Sequence, residues 1–150
     1  MTTRQPDRNA PMSTLEQYLG HLLDLAHRRV GADLERVLAG TGVQKEEWRV
    51  LEVLSDERGR SMGELAAVVA MNHPTLTKLI DRMVAKSWVL RNVDAADSRR
   101  VLVYITDVGL ATMVRLEAPL EAHEQTLTSA LGERKARQLR SLLAELIERA

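Results

Sequence analysis

Residues 97–109 read DSRRVLVYITDVG, and the fold turns on them. Val101 to Thr106 are rich in β-branched and aromatic residues, as are Trp88 to Val93 before them, and the seven residues between, DAADSRR, are polar. The pattern predicts a two-stranded hairpin with an exposed tip. A hairpin needs only a few turn residues, so a tip carrying Arg99 and Arg100 directly after Asp97 and Ser98 is longer than connection requires. Asp97 is expected to accept hydrogen bonds from Arg99 or the loop backbone and so pre-shape the tip. A protruding arginine tip suits a minor groove of DNA, above all a narrow one with a more negative potential.

Upstream of the hairpin, Asn72 can cap a helix over about residues 73–86 whose Pro74 sits in the first turn, where a missing N–H costs nothing. At about 100° per residue, Leu76, Leu79, Ile80 and Met83 gather on one side, while Pro74, Lys78, Asp81 and Ala85 lie opposite, flanked by Thr77 and Arg82. A major groove about 12 Å wide admits one such helix. Lys78 and Arg82 can reach guanine edges or phosphates, and threonines can reach phosphates or thymine methyls. The candidate residues on this helix are Asn72, His73, Pro74, Thr75, Thr77, Lys78 and Arg82. Alone, the face reads better as an ordinary solvated helix surface; the hairpin shifts that balance.

Further upstream, Ser61 with Glu64 three residues later forms a capping box for a helix carrying Leu65, Ala66, Val68 and Val69. Two short helices joined by the break AMN make a helix-turn-helix outline. Before them, a helix from about Lys45 to Ser55 presents Trp48, Leu51, Val53 and Leu54 and closes on the polar loop DERGR. From Ser13, with Glu16 as its capping-box partner, apolar residues recur at helical spacing over about 24 residues, roughly 36 Å, until Gly40 and Gly42. Residues 1–11 are polar with Pro6 and Pro11 and read as a mobile arm. After the hairpin the chain is helical again, from Asp107 to about Thr128 and from Gly132 to Arg149, with a kink expected at Pro119. The long amphipathic ends have apolar stripes that a small central unit cannot cover, which predicts a homodimer.

Composition narrows the function classes. At 150 residues the chain makes one ordinary domain, and with no cysteine it has no thiolate chemistry or disulfides. No apolar run is long enough to span a membrane and the start lacks a signal-peptide pattern, so a cytoplasmic protein without a membrane partner is expected. The 21 basic and 21 acidic residues cancel, yet residues 73–104 hold six basic residues, Lys78, Arg82, Lys86, Arg91, Arg99 and Arg100, against three acidic ones. There is no P-loop, G-x-G-x-x-G, G-x-S-x-G or H-E-x-x-H motif, so neither an enzyme nor a cofactor is expected. His21, Asp24 and His27 are clustered ligand types, but six residues on a helix turn about 120° and rise about 9 Å, too far for both histidines to share one ion.

WRVLEVL at 48–54, SMGELAAVV at 61–69, PTLTKLIDRMVAKSWVLR at 74–91 and DSRRVLVYITDVG at 97–109 occur in an order that resembles the MarR family of bacterial regulators, from about residue 13 to 149. The resemblance implies a mainly α fold with a small two- or three-stranded β wing. Residues 45–106 would form the winged-helix DNA-binding region, and 12–44 with 107–150 the dimerisation helices. It further implies a dimer that binds a pseudo-palindromic operator in double-stranded DNA, usually to repress, with a small aromatic or phenolic effector altering affinity. His21, Leu25 and Trp48 are the candidate pocket residues. Ala70 and Ser87 stand where relatives usually place glycines; a positive φ at either would cost about 1 to 2 kcal/mol. The competing reading is a protein-interaction module that kept the winged-helix shape without reading DNA.

Overall fold

A computed structural model describes residues 14–150; the expected arm and the Ser13 cap lie outside the described residues. The chain divides into two compact units, one reaching Asp33 and the other Leu34–Ala150, with the boundary inside a helix.

The first unit holds α1 (Thr14–Gln17) and the start of α2 (Leu19–Leu38). The single long helix expected from the periodicity is therefore two. The reason is local: the Tyr18 N–H bonds the Leu15 carbonyl at 3.1 Å, one residue short of the α-helical partner, and a new ladder opens with Leu22 N–H on the Tyr18 carbonyl at 3.1 Å.

The second unit continues with α3 (Lys45–Leu54), β1 (Arg60–Ser61), α4 (Met62–Val69), α5 (His73–Ala85), β2 (Val89–Val93), β3 (Val101–Ile105), α6 (Asp107–Leu131) and α7 (Glu133–Arg149). Its three strands form one antiparallel sheet in the order β1-β3-β2, with Val89 opposite Ile105 and Val93 opposite Val101. The strand β1 occupies the end of what reads in sequence as the polar loop DERGR. It fits there because residue 59 is glycine: a Cβ at that point would meet the Tyr104 ring at 2.4 Å.

The capping residues act as their chemistry requires. The Glu64 N–H donates to Ser61 Oγ at 3.2 Å and the Ser61 N–H to Glu64 Oε2 at 2.7 Å, completing the capping box of α4. Asn72 caps α5, its Oδ1 accepting the Thr75 N–H at 2.9 Å. Ala70 and Ser87 do adopt left-handed backbones, with φ of 55° and 60°. The α6 helix continues through Pro119 from Asp107 to Leu131.

Val50, Leu51, Leu54, Leu65, Leu76, Leu79, Ile80 and Met83 form the centre of the core, joined by Leu34 and Leu38 from the end of α2 and Leu116 from α6. Each such side chain contributes about 1.5 to 3 kcal/mol by burial. The hairpin is fastened to α6 at one point. Thr106 Oγ1 donates to the Ser87 carbonyl at 2.6 Å and accepts the Gly109 N–H at 3.1 Å, capping α6. Gly109 itself is required, because a Cβ there would lie 2.3 Å from the Trp88 carbonyl oxygen. The TDVG end of the opening motif is thus a helix cap and a close approach.

Candidate nucleic-acid interface

Burial of Leu76, Leu79, Ile80 and Met83 fixes the rotation of α5, so His73, Pro74, Thr75, Thr77, Lys78, Asp81 and Arg82 are all exposed. Asn72, also exposed, is committed through its side chain to the cap. Thr77 donates its hydroxyl hydrogen to the His73 carbonyl at 2.9 Å and remains exposed. Pro74, Thr75, Lys78 and Arg82 line a shallow cleft of about 170 Å³ together with Glu46, Met71 and Leu79.

The six cations of this segment do not stand alike. Lys86 is paired with Glu47 at 2.7 Å, Arg91 with Asp81 at 2.7 Å, and Arg100 lies 3.7 Å from Asp94 and 3.8 Å from Glu64. Among the described residues Arg82 bonds the neutral side chain of Gln44, at 3.3 Å, and no carboxylate. Lys78 and Arg99 make no side-chain hydrogen bond or ion pair among the described residues. Three cations, Lys78, Arg82 and Arg99, are therefore without a paired carboxylate among the described residues.

The tip of the hairpin is shaped by two aspartates. Asp94 Oδ1 accepts the Ala96 N–H at 2.9 Å and Asp97 Oδ1 accepts the Arg99 N–H at 3.0 Å, while the Arg100 N–H bonds the Asp97 carbonyl at 2.9 Å. The Asp94 N–H closes the loop on the Arg100 carbonyl at 2.9 Å. Asp97 thus holds the Arg99 backbone, as its position in sequence suggested, and Arg99 is exposed. Arg100 leans instead toward Glu64, whose carboxyl lies below its ordinary pKa, first because of the Ser61 backbone N–H, then the Ser61 side chain, with a smaller pull from Arg100.

Of the candidate pocket residues, His21 and Leu25 lie half-buried on α2 in the first unit, and Trp48 lies on α3 in the second. The Trp48 indole nitrogen is buried and has no hydrogen-bond acceptor. Among the described residues no three His, Asp or Glu side chains converge on a metal site, and no helix is long and apolar enough to cross a membrane. The pair between Glu47 and Lys86 has no counterpart in the sequence reading. Its partners are 39 residues apart, and the only hint is an acidic residue on the inward face of a short helix.

Comparison with known proteins agrees with this geometry. Residues 41–100 match the MarR family. The chain is 29% identical to the HTH-type transcriptional repressor NicR of Pseudomonas putida over 108 residues, which covers 72% of this chain and 68% of that protein. Among solved structures, the transcriptional repressor CouR bound to a 23-mer DNA duplex superposes with a TM-score of 0.84 at 28% identity, covering 91% of this chain and 97% of that one. CouR bound to p-coumaroyl-CoA superposes with a TM-score of 0.80 at 27% identity, covering 92% and 97%.

Proposed function

We propose that this chain is a winged-helix transcriptional regulator of the MarR family, a dimeric repressor that lays α5 in the major groove of its operator and Arg99 in the adjacent minor groove. The observation that carries this reading is the distribution of free charge: Lys78, Arg82 and Arg99, on the helix face and at the tip of the wing, are the cations of the segment that no carboxylate neutralises. Thr75, Thr77, His73 and Pro74 supply small polar and apolar contacts beside them, and Asn72 fixes the end of the helix that enters the groove. Asp97 holds the Arg99 backbone, and Arg100 supports the wing through Glu64 and Asp94.

The apolar residues left open on α7, Leu139, Leu142, Leu146 and Ile147, are the surface a second copy covers. A dimer presents two recognition helices to a pseudo-palindromic site about one helical turn apart. The effector is a small aromatic or phenolic molecule; the similar CouR structure holds p-coumaroyl-CoA, whose acyl group carries a phenol. Trp48, whose buried indole N–H lacks an acceptor among the described residues, is the donor it would satisfy. This reading assigns the chain to the cytoplasm and gives it no catalytic step.

A salt titration tests the proposal. Binding to duplexes selected from a random-sequence pool should fall steeply with salt. Arg99→Ala should lose about 1 to 3 kcal/mol of affinity, with a shallower slope and the dimer intact. Negligible binding at low salt would favour the interaction module, and an unfolded Arg99→Ala protein would show that the wing had been misplaced.

A further inference from the structure

Resting on that DNA-recognition reading, we propose that Glu47, Gln44 and Lys86 form a positioning clamp that sets the pose of α5, and that Lys86, although part of the basic segment, does not touch DNA.

Lys86 sits at the C-cap of α5. Its Nζ lies 2.7 Å from Glu47 Oε1, reaches toward the Gly42 carbonyl at 3.4 Å and rests 4.3 Å from the centre of the Trp88 ring. The Glu47 side chain is 1% exposed, and its other oxygen accepts the Gln44 N–H at 2.9 Å. The Gln44 side chain in turn accepts from Arg82 at 3.3 Å, one turn earlier on α5. Residues 42–47 therefore grip two successive turns of the recognition helix. Lys45 ties the same segment to Glu35 on α2 at 2.7 Å.

Burial decides which partner Lys86 keeps. A carboxylate removed from water needs its counter-ion, and breaking a buried pair leaves an uncompensated charge. A phosphate competing for Lys86 would strand Glu47 inside the protein. The lysine is held further by the aromatic face of Trp88 beside it, although 37% of its side chain is open to solvent. At the other end of α5, His73, Thr75, Thr77 and Lys78 are open. The helix is thus fastened at its C-terminal end and presents its N-terminal end. Release of the clamp lets it pivot on the buried Leu76, Leu79, Ile80 and Met83 row and misplaces the residues that read bases.

The experiment compares the wild-type dimer with Glu47→Gln, Lys86→Met, the double variant and Gln44→Ala on two duplexes, one selected by the wild type from a random pool and one of random sequence. Each protein's thermal midpoint is recorded alongside. Glu47→Gln removes a negative charge, so simple electrostatics predicts tighter binding. The clamp predicts the opposite, about tenfold weaker binding to the selected duplex, little change on random DNA, and a double variant no worse than the weaker single one. Lys86→Met should leave the slope of log affinity against log salt unchanged; a slope smaller by about one would make it a phosphate contact and overturn the proposal. Equal or tighter binding of the selected duplex by Glu47→Gln overturns it too. Gln44→Ala, on the exposed end of the clamp, carries the test should Glu47→Gln fail to fold: a severalfold loss on the selected duplex at unchanged thermal midpoint supports the clamp, and no loss refutes it. A wild type that binds neither duplex refutes the DNA reading itself, a different failure from that of the clamp.

Discussion

Leucine serves opposite ends in two regions of the second unit. In α3, α4 and α5, Leu51, Leu54, Leu65, Leu76 and Leu79 are sealed from solvent, whereas in α7 Leu139, Leu142 and Leu146 stay open and Ile147 is 76% exposed. The α7 helix is not loose on its own chain: Ala136 is buried, Arg140 pairs with Glu124, and Arg140 also meets Thr128 at 3.3 Å. Those bonds belong to one face only. The winged region is complete within one chain, and the terminal hairpin is complete on one side, which is the arrangement of a folding unit carrying an assembly surface.

The largest expected effect removes that surface. A chain ended at Thr128, which lacks α7, should sediment as monomers or aggregates; a well-behaved dimer would break the comparison. Next in size, Leu76→Ala should lower folding stability by about 2 to 5 kcal/mol in denaturant unfolding, since a void opens where the core cannot collapse. A loss below about 1 kcal/mol would place the winged region's stability elsewhere. The smallest effect sharpens the same contrast. Ser87→Gly, at a left-handed position that a side chain adopts at a cost, should raise stability by about 1 kcal/mol without altering association.

Much of this organisation is readable along the chain because its causes are local. Ser61 with Glu64, Asn72 ahead of Pro74, and the apolar spacing of Leu76, Leu79, Ile80 and Met83 each act within one or two turns, and the structure places them as their spacing requires. The left-handed positions at Ala70 and Ser87 follow from a departure in the motif rather than from the residues' own preference. What escapes the sequence is either too short or too distant. A two-residue strand such as Arg60–Ser61 has no periodicity to detect, and it is set by β3 alongside it. The break at Tyr18 is a shift of one backbone hydrogen bond inside a continuous apolar pattern. At the candidate interface, composition supplies six cations but not their partners; folding brings carboxylates to Lys86, Arg91 and Arg100 and, among the described residues, none to Lys78, Arg82 and Arg99.

The junction at Thr106 and Gly109 has a mechanical consequence. Trp88, Thr106 and Gly109 meet with no room for even one added methyl group, so the wing has no swivel of its own at its base. It takes its bearing from α6. A strand of five residues reaches roughly 17 Å, and a rotation of about 10° at its root would carry the tip by about 3 Å, enough to lift an arginine out of hydrogen-bonding range. A turn of α6 would thus be magnified at Arg99, as the turn of an axle is at the end of its pointer.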